Sequence, residues 1–331
     1  MTRYKNIAVF GCKSTTLFLI RALKASFVHI HHLVTIDPAA GEKNEVADYY
    51  NLKDEVEKMG ITVYTAKQYA LKNAEDQAYI RSLDIDIAFV IGWQRLLPDE
   101  VLSGFSIGAF GMHGSSMNLP LGRGRSPMNW SILEGRKVFY TNLFKYDVGV
   151  DSGDVVDTYK FAITGRDTGE TMHFKNLLAM KYLIEKNVNN LMSNTYQLTK
   201  QRTDIAPTYY PKRNPADSLL DWKQDVVAIE RFIRAVTKPF NGAFTFIKDQ
   251  KVIIWDAQVF DTSDFGYTND AEATVIAVFP GGKFLVKCFG GLLLVNDHTS
   301  DKLVTEGSVF DNGGHSVNYH ERNKFGFFDL P

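Results

Sequence analysis

The feature that most restricts the fold is an alternation near the start of the chain. Short, nearly unbroken apolar runs are separated by stretches with helical spacing. Ile7–Phe10, Leu33–Ile36, Ile61–Tyr64 and Ile85–Ile91 are continuous rather than alternating. A strand with one wet face alternates, whereas a strand covered on both faces reads as a continuous run. Between them, Leu17, Ile20 and Leu23 follow the loop GCKSTT at helical spacing, and the segment Tyr69–Ser82 carries a second helical pattern. This βαβ rhythm predicts an α/β fold with an open, mostly parallel sheet.

The rest of the chain divides by the same logic. Asp167 with Glu170 three residues on predicts a capping box, and Leu177, Met180, Ile184, Val188 and Leu191 keep helical spacing behind it. The first domain is expected to end soon after, at about residue 205 by the boundary uncertainty of such readings. The stretch TDIAPTYYPKRNPAD, with three prolines and no periodicity, reads as a linker, placed at 206–218. Val226, Ile229, Ile233 and Val236 then mark a helix, followed by runs rich in β-branched and aromatic residues and a hairpin turn at Pro280-Gly281-Gly282. A smaller, mostly β C-terminal domain over 219–331 is the expectation.

Composition narrows the function. A chain of 331 residues, 45% hydrophobic and 23% charged, is long enough for two globular domains. Its net charge of −1 gives no general pull toward nucleic acid or anionic membrane. The two cysteines, Cys12 and Cys288, are too few and too far apart for a disulfide framework or a zinc site, so no metal is expected. No apolar run reads as a signal peptide or membrane span. Cytoplasmic work on a small molecule is the expectation.

The chemistry gathers where such sheets usually bind ligands, at the C-terminal edge of the strands. GCKSTT follows the first strand, but it fits neither phosphate-loop spacing and reads equally well as a tight turn. Trp93 and Gln94 follow the strand Ile85–Ile91. His113 follows the short apolar segment Ile107–Phe110, inside a stretch GMHGSSMNLPLGRGRSPMNW that lacks strand or helix rhythm until its end. Flanking glycines and serines argue against a core histidine. Asp147, Asp151 and Asp154 in YDVGVDSGD form a second polar loop. A carboxylate beside an imidazole orients it for general acid/base work. Lys13 and Arg213 have the charge to hold a pyrophosphate and Tyr210 the ring to stack on a base. This places a nucleotide between the GCKSTT loop and the linker.

HGSSMNLPLGRGRSPMNW followed by DVGVDSGD resembles the signature of the 10-formyltetrahydrofolate-dependent formyltransferases, Asn-x-His-x-Ser-(x)-Leu-Pro-x-x-Arg-Gly-x-x-Pro and Asp-x-Gly-x-Asp-x-Gly-Asp. IGWQRLLPDEVL resembles the folate-site strand and loop of that family, and DW, IRAVTKPFNGAFTF and VIIWDAQV resemble its C-terminal domain. RGRSPMNW and YYPKRNPADSLLDW come closest to the branch that formylates nucleotide-linked amino sugars.

The resemblance implies a Rossmann-like catalytic domain, N10-formyltetrahydrofolate as cosubstrate, and a UDP- or dTDP-linked amino-deoxy sugar as acceptor, for polysaccharide or glycan biosynthesis. It implies a homodimer, with neither nucleic acid nor membrane as partner. It further implies that His113 and Asp151 are catalytic, and that the pterin lies against Arg95, Leu96 and Leu97 and the loop Asp147, Val148, Gly149, Val150, with Arg125 close by. A methionyl-tRNA formyltransferase and a catalytically inactive folate- or nucleotide-binding homologue are the alternatives.

One departure stands out. Gly111 occupies the position of the family's Asn, and two extra residues separate His113 from Pro120. Either Asn118 in that insertion supplies the missing oxyanion donor, or Asn118 shapes a turn and His113 works with water or a backbone N–H.

Overall fold

The computed structural model describes residues 5–263, 265–324 and 326–328. The strands are β1 (Ile7–Phe10), β2 (His32–Thr35), β3 (Thr62–Thr65), β4 (Ile87–Val90), β5 (Gly108–Ser115), the two-residue β6 (Arg123–Gly124), β7 (Val138–Lys145), β8 (Val155–Ala162), the two-residue β9 (Tyr209–Tyr210), β10 (Ala243–Ile247), β11 (Gln250–Asp261), β12 (Val275–Val278), β13 (Phe284–Cys288) and β14 (Gly291–Ser300). The α-helices are α1 (Ser14–Ala25), α2 (Pro38–Lys43), α3 (Lys53–Glu57), α4 (Ala74–Ser82), α5 (Asp99–Leu102), α6 (Pro127–Leu133), α7 (Gly169–Ser193) and α8 (Val226–Val236).

Two compact units are interleaved along the chain. The first takes Met1–Gly124, Val138–Phe161 and Phe174–Thr208; the second takes Arg125–Lys137, Ala162–His173 and Tyr209–Pro331.

The first unit is built on a seven-stranded sheet in the order β3-β2-β1-β4-β5-β7-β8. β1 pairs in parallel with β2 and β4, β2 with β3, and β4 with β5, whereas β5 and β7 run antiparallel. Alternation along β1 explains the unbroken apolar run. Ile7 and Val9 pack with Leu19, Ile20 and Leu23 of α1 and Leu183, Ile184 and Val188 of α7. Ala8 and Phe10 pack on the other face with Tyr69, Ile80, Trp93 and Val101. β3 differs from the buried strand expected at Ile61–Tyr64: it is the edge of the sheet and its four residues are half-buried or exposed. The predicted helix over Tyr69–Ser82 begins only at Ala74, capped by the Asn73 side chain, which accepts from Asp76 N at 2.8 Å.

The second unit carries a five-stranded antiparallel sheet, β10-β11-β14-β13-β12, with the predicted hairpin between β12 and β13. Gly281 and Gly282 both turn at positive φ there, which glycine adopts without steric cost. Residues read as a linker are ordered instead. Tyr210 is 2% exposed, and Pro215–Ser218 form a 3-10 turn. From Tyr209 on, prolines without periodicity mark a strap packed within the second unit, because the aromatic residues among them have apolar surface to bury.

Candidate active site

His113 lies within β5 and not in a loop beyond it. β5 pairs with β4 from Gly108 to Gly111, then runs on against β7 as far as Ser115. This carries His113 past the end of its parallel neighbour to the C-terminal edge of the sheet. The antiparallel partner supplies the ladder that the Gly-rich sequence does not advertise. Directly opposite His113 on β7 sits Asn142, which is fully buried, takes a hydrogen bond from Thr158 Oγ1 at 2.6 Å, and has its amide nitrogen unpaired among the described residues.

Asp151 comes to His113 from the loop after β7. Its Oδ2 lies 3.3 Å from His113 Nδ1 and accepts the Gly124 N–H at 2.9 Å. The residue sits at φ 48°, a left-handed conformation that Asp tolerates better than most side chains. Gln201 braces this loop: its Nε2 donates to Asp151 O and Gly153 O, both at 2.8 Å, and its Oε1 accepts from Arg123 at 2.7 Å. On the other side of the imidazole, Nε2 meets Gly122 O at 2.8 Å. Gly122 is pinned by Thr208 Oγ1 at 2.9 Å, and a Cβ there would lie 2.2 Å from Ser115 Oγ. Both ring nitrogens therefore face acceptors, while a neutral ring carries only one N–H.

Gly111 and Asn118 resolve differently. A Cβ on Gly111 would meet Tyr146 Cε2 at 2.2 Å, so glycine is required by the close approach of that ring. Asn118 is exposed, and its Oδ1 accepts the Leu119 N–H at 3.1 Å. Its side chain is spent on the local turn, as the turn reading expects.

Other sequence-derived positions scatter more widely. In the loop after β4, Arg95 is half-buried, donating to Gln94 O and Asn44 Oδ1 and lying 4.8 Å over the Tyr69 ring. Leu96 is 49% exposed, whereas Leu97, at 2%, belongs to the core and offers a ligand only its backbone. Asp147 accepts from Gly149 N at 3.0 Å and from the Ser152 hydroxyl, shaping a loop whose Val148 is exposed and whose Val150 is half-buried. Lys13 is half-buried at the start of α1, beside Gly11, where a Cβ would lie 2.1 Å from Ile91 O. Arg125 belongs to the second unit, its N–H bonded to Tyr210 O at 2.8 Å.

Two expectations need correcting. Tyr210 cannot stack on a base: its ring is stacked on Trp130, it packs near Phe328, and its hydroxyl donates to Glu134 Oε2 at 2.7 Å. Arg213 is likewise engaged, lying 5.0 Å over Trp130 and 5.7 Å from Phe232, with its guanidinium donating to Asp217 O. Burial pulls its ionisation below the ordinary arginine value. Both residues serve an aromatic cluster of the second unit. Tyr146, Asn142 and Gln201 belong to no motif in the sequence, and the fold brings them to His113 and Asp151 from distant or unremarkable positions.

An imidazole and a carboxylate meet at the C-terminal edge of a Rossmann-like sheet, where α/β folds of this class bind their ligands, and an antiparallel sheet follows later in the chain. Family models described as "Formyl transferase" and "Formyl transferase, C-terminal domain" match residues 5–183 and 212–314, and the chain belongs to this family. It is 31% identical over 237 residues to the bifunctional polymyxin resistance protein ArnA of Wigglesworthia glossinidia brevipalpis, covering 72% of this chain. The match spans 35% of that relative's length. Among solved structures, the N-formyltransferase from Helicobacter canadensis in complex with folinic acid and dTDP-3-aminofucose superposes with a TM-score of 0.61 at 18% identity, covering 89% of this chain and 100% of that one. The sugar 3N-formyl transferase WlaRD, in the presence of dTDP and 5-N-formyl-THF, gives 0.62 at 17% identity, covering 91% and 100%. At these identities the structural likeness is one of fold. Among the described residues no helix is long and apolar enough to cross a membrane.

Proposed function

We propose that this chain transfers a formyl group from N10-formyltetrahydrofolate to the amine of a UDP- or dTDP-linked amino-deoxy sugar, in the cytoplasm. The observation that carries the reading is the His113–Asp151 pair, 3.3 Å apart at the C-terminal edge of the sheet. Structural neighbours determined with folate compounds and dTDP or a dTDP-sugar support it. In chain order, the proposed catalytic part covers 1–205 and the proposed C-terminal part 219–331, joined by the packed stretch 206–218.

The residues present suit a folate. Leu96 and Val148 offer exposed apolar surface in the two loops, and the buried Trp93 indole N–H lacks a partner among the described residues. A flat heteroaromatic ring with a polar edge answers both needs. When bound, the cosubstrate supplies an electrophilic formyl carbon. A bond forms between the sugar amine and that carbon, and the bond from the carbon to N10 breaks. The proton shed by the amine reaches N10 by way of His113, which Asp151 orients. In this step Nε2 exchanges Gly122 O for the substrate. Lys13, at the start of α1, is assigned to the pyrophosphate.

The test is incubation with 10-formyltetrahydrofolate and a panel of nucleotide amino sugars, read by mass spectrometry. One sugar gaining the mass of a single formyl group is the expected result. Formylation of methionyl-tRNA instead, or of nothing, overturns the proposal.

A further inference from the structure

An acyl transfer needs a donor for the negative oxygen that develops on the reacting carbon. His113 is badly placed to be the sole one, since Nδ1 faces Asp151 and Nε2, once released from Gly122 O, is the nitrogen that moves the proton. A ring that is moving a proton cannot hold the oxyanion with the same N–H at the same moment. A second donor is required beside it.

Gly111 indicates where. It stands two residues before His113 on β5, so a side chain there would share His113's face of the sheet. Its Cβ would lie 2.2 Å from Tyr146 Cε2 and 3.0 Å from Cζ, the carbon that bears the hydroxyl. The phenol end of Tyr146 thus fills the niche that a side chain at 111 would enter. The ring is held by stacking on Phe144, with centroids 5.0 Å apart and planes at 16°, and by its backbone N–H on Ala109 O at 2.8 Å. Tyr146 is half-buried, and among the described residues its hydroxyl makes no hydrogen bond. It lies within electrostatic reach of Asp151, the same carboxylate that faces His113. Burial and that negative charge push the phenol's ionisation well above its ordinary value, so the hydroxyl keeps its proton and stays a donor.

We propose that Tyr146 is a further catalytic residue, whose hydroxyl donates to the formyl oxygen from the niche that Gly111 leaves open. The role rests on the formyl-transfer reading above. Asn142 is a weaker candidate, since the side chain against the niche at 111 is Tyr146 and the Asn142 carbonyl is already taken by Thr158, and Asn118 is exposed and spent on its own turn.

Tyr146→Phe keeps the ring in its niche and removes only the hydroxyl. The expected result is a kcat lower by about 10² to 10³-fold, the scale of a lost oxyanion donor, with KM for both substrates within about threefold of wild type, because the interaction forms only in the transition state. Placing an amide in the emptied niche, Gly111→Asn with Tyr146→Ala, is expected to regain at least about tenfold over Tyr146→Ala. A Tyr146→Phe enzyme with kcat within about threefold of wild type overturns the role. If the wild-type chain itself transfers no formyl group, the proposed activity falls and this role with it. That outcome is distinct from an active wild type matched by an equally active Tyr146→Phe.

Discussion

His113 is legible in the sequence because the glycines and serines around it fit no core pattern, and Asp151 because its loop repeats acidic and glycine residues. If the two act as a unit, His113→Asn and Asp151→Asn each lower turnover by at least about 10²-fold, the usual scale of lost general acid/base catalysis. Folate binding, measured by titration, is expected to persist; near wild-type turnover in His113→Asn would sink the assignment. Tyr146 is not legible in the same way, although it directly precedes Asp147 in the chain. What puts its ring over Gly111 is the β5–β7 register, which sets Gly111 opposite Phe144 and His113 opposite Asn142. A slip of one residue would turn those side chains to the other face. No local pattern encodes that choice. Tyr210 and Arg213 teach the converse: residue type suggests ligand contact, but burial in an aromatic cluster, with the Glu134 carboxylate taking the Tyr210 hydroxyl and the Asp217 carbonyl taking the Arg213 guanidinium, settles their use.

Elements with strong periodicity are read well and their ends less so. The continuous runs β1, β2 and β4 lie where the sequence puts them. α7 starts at Gly169, and its reciprocal cap is Thr168 with Thr171, bonded at 2.9 and 3.2 Å, rather than Asp167 with Glu170. Asp167 turns instead to the Thr164 N–H and to the Thr164 and Thr171 hydroxyls, a nearer set of donors than the box would offer. At α4 a buried carboxylate ties helix to loop. Asp76, fully buried, accepts from Tyr64 Oη at 2.7 Å, Lys67 N at 3.0 Å, Gln68 N at 2.9 Å and the Asn73 amide. Burial alone would raise its pKa, but these hydrogen bonds outweigh it and hold the carboxyl below its ordinary value. A depressed folded-state pKa adds stability above the unfolded value of about 3.9, and that stability is lost as pH falls through the folded value. Asp76→Asn is therefore expected to cost about 3 kcal/mol near pH 7, since an amide cannot replace the lost acceptor oxygen. The gap to wild type should narrow as pH drops below about 4. Urea unfolding at several pH values checks both; a gap independent of pH would show that the charge contributes nothing.

For the whole molecule the sequence presents a linear order, catalytic part, linker, C-terminal part, while compactness cuts the chain otherwise. The second unit recruits Arg125–Lys137 and Ala162–His173 from the middle of the chain. Hydrophobic periodicity cannot reveal this, because it reports which face of an element is buried and not which distant segment covers it. The recruited pieces are central to that unit. Trp130 of α6 stacks on Tyr210 and packs at 4.6 Å on Phe328, and its indole N–H donates to Pro211 O at 3.0 Å. Asn129 donates to Ala235 O at the end of α8 at 2.7 Å, and Glu134 holds Tyr210 and Arg322. Arg234 of α8 reaches Asp167 O, just before α7, at 2.7 Å. A fragment cut at the expected boundary, residues 206–331, keeps its antiparallel sheet but loses α6 and the Asp167 turn. Exposing Tyr210, Phe328 and one face of α8 removes burial worth about 1.5–3 kcal/mol per large apolar side chain, and leaves the Ala235 carbonyl and the Tyr210 hydroxyl without their partners. These losses are comparable with the whole stability of about 5–15 kcal/mol of an ordinary domain. The fragment is thus expected to be partly folded at best, with a broad thermal transition and poor amide dispersion by NMR. The full chain should melt cooperatively. A 206–331 fragment with a sharp transition and dispersed spectrum would show instead that the β-rich segment folds without the recruited pieces.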